Sequence, residues 1–327
     1  MESDIKYAAE VDVAVLLLFF TRTEITARTF EQIRKARPSK LFLYQDGPRP
    51  GRVDDIENIK ECREVVESAI DWNCEIHRMY QENNYGCDPS EYISQKWMFS
   101  NVDKGIIIED DDAMSISFFR YCKELLDKYE NDNRINIICG MNHLGVYEDC
   151  PYDYFFVRSG GAIWGWATWK RTIEQWDAQY DFLDKAYTLK NLRDEFGNES
   201  ADKFIKVCNN HKSSGREHYE SILGAFARLS NTLNIVPKRN MTCNIGVDTE
   251  TTHSVSDISK LPRAVRKQLY MKTYELEFPM HHPKYIQADY GYWKKVLKSM
   301  NGNLFVRTFQ LRRIESLLYR LFPVLGK

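Results

Sequence analysis

Apolar positions come in short continuous runs that alternate with stretches of helical spacing for the first third of the chain. Val11–Phe20 is a run of strand length, followed by a turn with Thr21 and Thr23 that caps a helix reaching about Ala36 before Pro38 stops it. Lys40–Tyr44 reads as a second strand ending in the polar turn Gln45-Asp46-Gly47-Pro48, with a helix over about Val53–Ile70 behind it. Cys74–Tyr80 is a third strand, Asn83-Asn84-Tyr85-Gly86 a loop, and Ser90–Asn101 a helix leading into the run Gly105–Ile108. Strand and helix alternating in this way predict an α/β fold with a mainly parallel, doubly wound sheet. Its first, second and fourth strands should deliver their polar turns to one edge.

The fourth run changes the picture most. Ile106-Ile107-Ile108 suits a strand buried on both faces, and it ends in the consecutive acids Glu109-Asp110-Asp111-Asp112. Ligands of open α/β sheets collect beyond the carboxyl ends of the strands, and acids crowded there repel one another unless water or a cation relieves them. Hard oxygen donors favour Mg²⁺ or Mn²⁺, ions that commonly share their coordination with substrate phosphates. Capping of the next helix near Ala113–Ser117 would use one acid; four point to a metal–diphosphate site.

Beyond a helix over Ser117–Tyr129, the chain reads as strands at Ile135–Cys139 and Tyr154–Val157. There follows the segment Ser159-Gly160-Gly161-Ala162-Ile163-Trp164-Gly165-Trp166-Ala167-Thr168-Trp169. Glycine lets backbone approach a ligand, and an indole offers a flat face to a sugar or a base. Trp164 and Trp166 are expected near the substrate, while Trp169 and Trp176 are assigned to packing at the start of a helix. A polar helical stretch at Lys190–Asn210, a helix at His218–Arg228, strands at Thr232–Val236 and Asn240–Asn244, and a polar loop Asp248–Ser254 containing His253 complete this part.

With 327 residues, 43% of them hydrophobic and 28% charged, the chain has the balance of a globular protein with one large core. Its formal charge of −2 hides an asymmetry: residues 260–327 carry 14 Lys and Arg against 4 Asp and Glu, and the rest 31 against 43. An acidic body argues against nucleic-acid binding, and the basic tail is expected to meet something anionic. Leu311, Ile314, Leu318 and Leu321 at helical spacing among arginines fit either a helix on an anionic membrane surface or one packed on the body. The eight cysteines form no C-x-x-C pair and read as free thiols. Val13–Phe20 is too short to span a bilayer and lacks a basic leader, so a cytoplasmic location, with contact at the inner face of the membrane, is expected.

Taken together, Thr21-Arg22, Gln45-Asp46-Gly47, the DXD-type triplet Glu109-Asp110-Asp111, Trp164-Gly165-Trp166-Ala167-Thr168-Trp169 and Asn244-Ile245-Gly246 with downstream His253 resemble bacterial nucleotide-sugar glycosyltransferases of the GT-A fold. More distantly, they are similar to N-acetylglucosaminyltransferase I. The resemblance covers roughly residues 11–255. It implies a Rossmann-like transferase domain over residues 1–258, with a donor half at about 11–140 and an acceptor half at about 141–258, followed by a basic, mostly helical extension over 259–327. It further implies that Asp111 holds Mn²⁺ or Mg²⁺ with His253, and that Glu109 and Asp110 contact the donor's sugar or ribose. Asp46 would read the nucleobase, with Thr21, Arg22, Trp164, Gly165 and Trp166 completing donor binding. The donor implied is a UDP-sugar, the acceptor a glycan or lipid-linked hydroxyl, and the setting surface-glycan or polysaccharide synthesis.

Relatives place an Asp after an aromatic residue as general base; here that position is Glu220 after Tyr219. Glu217, read as one turn earlier on the same helix face, is its rival. Transfer would then be a single inverting displacement by a hexosyl- or N-acetylhexosaminyltransferase. Two other classes stay open at this level. A degenerate member could bind a nucleotide sugar or glycan without turnover, which the Glu at 220 and Ser90-Glu91 at a helix start would favour. A metal-dependent phosphoryl-transfer enzyme would also use clustered acids, but no G-x-x-x-x-G-K-[ST] loop accompanies them.

Overall fold

The structure, a computed structural model, describes residues 6–158, 160–246 and 266–301. Strands β1 (Val11–Phe19), β2 (Pro38–Gln45), β3 (Glu75–Tyr80) and β4 (Lys104–Glu109) are linked by helices α1 (Thr23–Ala36), α2 (Asp54–Ser68) and α3 (Cys87–Asn101). All four strands run parallel in the order β3-β2-β1-β4. The chain builds outward from β1 through β2 to β3 and then returns to the other side of β1 as β4. The topological switch point, where ligands enter such sheets, therefore lies between the carboxyl ends of β1 and β4.

The sheet continues as β4-β8-β6-β9-β7, with β6 (Ile135–Cys139), β7 (Tyr154–Val157), β8 (Trp166–Trp169) and β9 (Leu233–Pro237). In this half β8 runs antiparallel to both β4 and β6, so the sheet is mixed. Helix α4 (Ser117–Lys128), the short α5 (Lys170–Ile173), α6 (Ala186–Phe196), α7 (Asn198–Ser214) and α8 (Tyr219–Leu229) complete the body. The α/β layering with a large central sheet is as the alternation requires. Apolar residues of both sheet faces feed separate cores: Val15, Leu17, Ile106 and Ile108 lie in one, Leu16, Leu18 and Ile107 in the other. This two-sided burial is why β1 and β4 carry unbroken apolar runs.

Within the Trp-rich segment, Trp166–Trp169 form a strand that runs directly into α5, with Trp169 as the N-cap of that helix and Trp169 and Trp176 buried as expected. Trp166 and Trp169 are 1% and 2% exposed and contribute to opposite cores, which a period of two permits and a helical turn would not. Gly160, Gly161 and Gly165, all at positive φ, turn the chain into that strand.

Strand β5 (Asp112–Met114) pairs antiparallel with β10 (Thr242–Asn244) and forms a small ribbon over the acidic turn. The described part of the C-terminal region is mostly irregular, not helical; only α9 (Tyr290–Asn301) is a full helix. It wraps the body: Met280 joins one core, Tyr292 and Val296 the other, and Glu275 caps α4 through the amides of Ile116 and Ser117 at 3.0 and 2.8 Å. His253 and the amphipathic stretch 304–322 lie outside the described residues. Among the described residues no helix is long and apolar enough to cross a membrane, and the eight cysteines are free thiols.

Candidate active site

Three elements converge at the switch point. Thr21 and Arg22 occupy the turn after β1, with the Arg22 carbonyl accepting the Thr26 amide at 2.9 Å at the start of α1. The Arg22 guanidinium donates to Asp110 and, at 2.9 Å, to Asp111 Oδ2, beyond the end of β4. It also donates to the Gly246 carbonyl at 3.3 Å. From the ribbon, Asn244 Nδ2 donates to Asp111 Oδ1 at 2.8 Å, so Asp111 is held from both sides. A Cβ at Gly246 would come within 2.0 Å of Asp111 Oδ2, so the residue that closes this corner has to be glycine. Asn244 was legible as part of a motif; its grip on Asp111 was not.

The four acids have different surroundings. Asp112 is buried and its Oδ2 accepts the amides of Glu109 at 3.0 Å and Gly165 at 2.8 Å, which ties the acidic turn to the glycine–tryptophan loop. It is a clamp inside the fold. Glu109 accepts from the Tyr219 hydroxyl at 3.3 Å. Loss of water, then the charges of Asp111, Asp110 and Glu220, push the Glu109 carboxyl up to about 8. Asp110 is raised too, by burial first, against the pull of Arg22. Behind them Glu91 of α3 is 4% exposed and well above its ordinary value, through burial and then Glu109, while accepting from Gln95 Nε2 at 3.0 Å. Burial works against the Arg22 charge, yet Asp110 and Asp111 hold its pKa above the ordinary range. This corner therefore carries more carboxylates than one guanidinium balances. Among the described residues no group of three or more His, Cys, Asp or Glu side chains is disposed around a common metal position.

Asp46 is buried, and its carboxylate is committed to donors of the fold. Its Oδ1 accepts the amides of Gly47 and Tyr85, both at 3.0 Å, and its Oδ2 accepts from Gly86 N and Asn84 Nδ2, both at 2.9 Å. All of those donors but Gly47 belong to the loop after β3, which closes over Gly47 so tightly that a Cβ there would lie 2.6 Å from Asn83. The residue is a fastener for that loop, and its carboxylate is already filled. Trp166 is likewise withdrawn, sealed between β4 and β6 in the sheet core, where no ligand face is left to it.

Glu220 and Glu217 are separated by the fold. Helix α7 ends at Gly215 in the left-handed region (φ 68°), His218 is extended, and α8 begins at Tyr219. Glu217 therefore lies in the connection and not one turn earlier on α8; its charge is felt at Tyr92. Glu220, in the first turn of α8, is exposed, lines a cleft of about 290 Å³ and acts on Glu109. The cleft lies over β6 and β9 and is bounded by Gly160–Trp164 and by α8. Trp164 forms part of its wall, and its carbonyl accepts from Thr242 Oγ1 at 2.5 Å. Gly165 presents its amide to Asp112, as noted above, and not to the cleft.

Comparison with known proteins adds little beyond this geometry. No protein-family model matches the sequence, and no curated protein matches it. Among solved structures, the chain is similar to one titled as UDP-glucose pyrophosphorylase complexed with UDP-glucose, at 10% identity over 50% of this chain and 78% of that one, with a TM-score of 0.30. It is also similar to the glycosyltransferase GlyE of Streptococcus pneumoniae TIGR4, at 11% identity and a TM-score of 0.32 over 66% of this chain and 43% of that one. It thus spans less than half the length of GlyE. Likenesses of this size assign no activity.

Proposed function

We propose that the chain is a glycosyltransferase that moves a sugar from a nucleoside-diphosphate donor, a UDP-sugar in the first instance, to an acceptor hydroxyl. The observation that carries the reading is one juxtaposition: Arg22 after β1 faces Asp110 and Asp111 after β4, and Glu220, whose charge acts on Glu109, lines a separate cleft. A donor diphosphate belongs at the first, an acceptor in the second, and Glu220 stands between them.

A divalent cation fits the corner by donor type, because every side chain that could hold it offers hard oxygen, and burial together with the charges of Asp111, Asp110 and Glu220 raises the Glu109 carboxyl. Asp111 would hold it, with Glu109 and Asp110 turned to the donor's sugar or ribose. When bound, Mn²⁺ or Mg²⁺ would draw off the charge growing on the departing diphosphate. Arg22, released from the two aspartates, would donate to phosphate oxygens. Glu220 would take the proton of the acceptor hydroxyl as it attacks the anomeric carbon, and a single displacement would invert that centre. Trp164 would wall off water on the cleft side.

Hexosyl and N-acetylhexosaminyl donors are both within this reading. So is an acceptor glycan that grows on a lipid at the cytoplasmic face of a membrane, with the basic stretch beyond the described residues against the lipid. One observation favours a non-catalytic nucleotide-sugar binder: Arg22 already occupies both aspartates. Calorimetric titration of UDP with Mn²⁺ into the wild type and Arg22→Ala tests the donor site. Micromolar binding weakened in the variant is expected, and absence of binding by any nucleoside diphosphate would sink the reading.

A further inference from the structure

The cleft holds an unbalanced charge at the end away from Glu220. On α8, Glu220, Gly224 and Arg228 are spaced four residues apart and share one face, and all three line the cleft. Eight residues of helix set the first and last Cα atoms about 12 Å apart. Gly224 keeps the wall between them shallow: a Cβ there would lie 3.2 Å from Arg228 Nη1 and 3.5 Å from Phe204.

Arg228 shares its surroundings with a second guanidinium. Arg158 and Arg228 each lie 5.7 Å from the centroid of the Phe196 ring, and Arg228 is also stacked on Phe204 at 4.2 Å. Arg158 is fully engaged: it pairs with Glu195 at 2.9 Å and donates to the carbonyls of Ala227, Arg228 and Thr232 and to Asn231 Oδ1. Arg228 has no such partner among the described residues. It spends Nη1 on the Gly224 carbonyl at 2.9 Å, and no carboxylate pairs with it. Two guanidiniums thus meet one carboxylate, at the edge of a cavity. Burial, with the repulsion of Arg158, lowers the Arg228 pKa from its ordinary value.

The floor of the same cleft is polar and incompletely satisfied. Asn136 is fully buried and donates to Asn234 Oδ1 at 3.0 Å, while its own Oδ1 has no partner among the described residues. Asn234 in turn donates to the Gly160 carbonyl at 2.5 Å. Buried amide oxygens are rarely left unpaired without a ligand or water to serve them.

We infer that the cleft is the acceptor subsite and that it takes an anionic saccharide: a sugar carrying a carboxylate or phosphate, its anion on Arg228 and its attacking hydroxyl toward Glu220. The inference rests on the proposed transferase reading for the word acceptor. The anion site itself does not depend on it.

Binding of model sugars to the full chain without donor separates the two. Methyl glucuronide, glucose 6-phosphate and neutral methyl glucoside are titrated at low salt into wild type, Arg228→Gln and Arg228→Lys, with UDP titrated into the same preparations. At least one anionic sugar should bind tenfold or more tightly than the neutral one. Arg228→Gln should abolish that preference, Arg228→Lys should retain part of it, and UDP affinity should not change. The better of the two anionic probes identifies the anion. Equal affinity for charged and neutral sugars, or no anionic sugar bound, overturns the inference whether or not UDP binds. Loss of UDP binding in Arg228→Gln with folding intact also overturns it, by giving Arg228 to the donor. Anionic binding by a protein that ignores every nucleoside diphosphate would keep the anion site and remove the transferase reading.

Discussion

The Tyr219 hydroxyl donates to Glu109 across 3.3 Å and so fastens the first turn of α8 to the carboxyl end of β4. Glu220, the next residue, acts on Glu109 by its charge and lines the cleft. Tyr219→Phe should keep the fold and UDP affinity but lower the transfer rate by roughly tenfold, since one hydrogen bond of about 1 kcal/mol holds the helix start. Steady-state rates beside a UDP titration check this.

Replacing Glu220 itself should do more. General bases contribute about 10²- to 10⁴-fold, so Glu220→Gln should cost transfer by that amount with donor affinity retained. Glu217→Gln, in the connection before α8, should leave both within about twofold. A reversal of the two results would move the base to Glu217.

The shift of Glu109 has a stability consequence with a definite sign. Its carboxyl is raised in the folded chain from the ordinary 4.5 to about 8, so between those values the folded chain holds a proton that the unfolded chain has released. The raised group contributes stability that is fully present below the ordinary value and lost as pH rises through about 8. Asp112 and Glu91 shift in the same direction. In metal-free buffer the melting temperature should therefore fall across this range, and Glu109→Gln should flatten part of the decline. A wild-type profile that rises from pH 5 to pH 8 would contradict the assignment.

Asp46 gives a prediction at odds with nucleobase reading. Asp46→Ala leaves the amides of Tyr85 and Gly86 without their carboxylate acceptor, which should destabilise the chain by about 2 kcal/mol or more. Uridine and guanosine diphosphates should be affected alike. A loss confined to the uridine nucleotide would return Asp46 to the base. Melting curves and paired titrations decide it.

The parallel half of the fold was legible because β1 and β4 are buried on both faces and so write their burial as uninterrupted Val, Leu and Ile. Their polar ends, Thr21-Arg22 and Glu109 onward, marked the corner for the same reason. Trp166 was misread because a four-residue strand between Gly165 and a helix is too short to display a period, and its neighbours in β4 and β6 are remote in sequence. The inward turn of Asp46 depends on amides of a loop nearly forty residues away, which no local pattern encodes. Glu217 was placed on α8 because spacing alone does not show that Gly215 ends one helix before another begins. Arg228 lay in plain sight at helical spacing from Glu220, but its lack of a carboxylate is a fact of tertiary structure.

In the proposed reaction Asp111, held between Arg22 and Asn244, anchors a nucleotide-sugar diphosphate together with a divalent cation. The most direct test of this is nucleoside-diphosphate release from UDP-, GDP- and dTDP-sugars, and nucleotide release from a CMP-sugar, with Mn²⁺, comparing wild type with Asp111→Ala and with EDTA. Slow, cation-dependent release from one donor, a UDP-sugar first among them, is expected, lost in the variant and in EDTA. Release that is unchanged in Asp111→Ala, or silence across the panel with no donor bound by calorimetry, would contradict it.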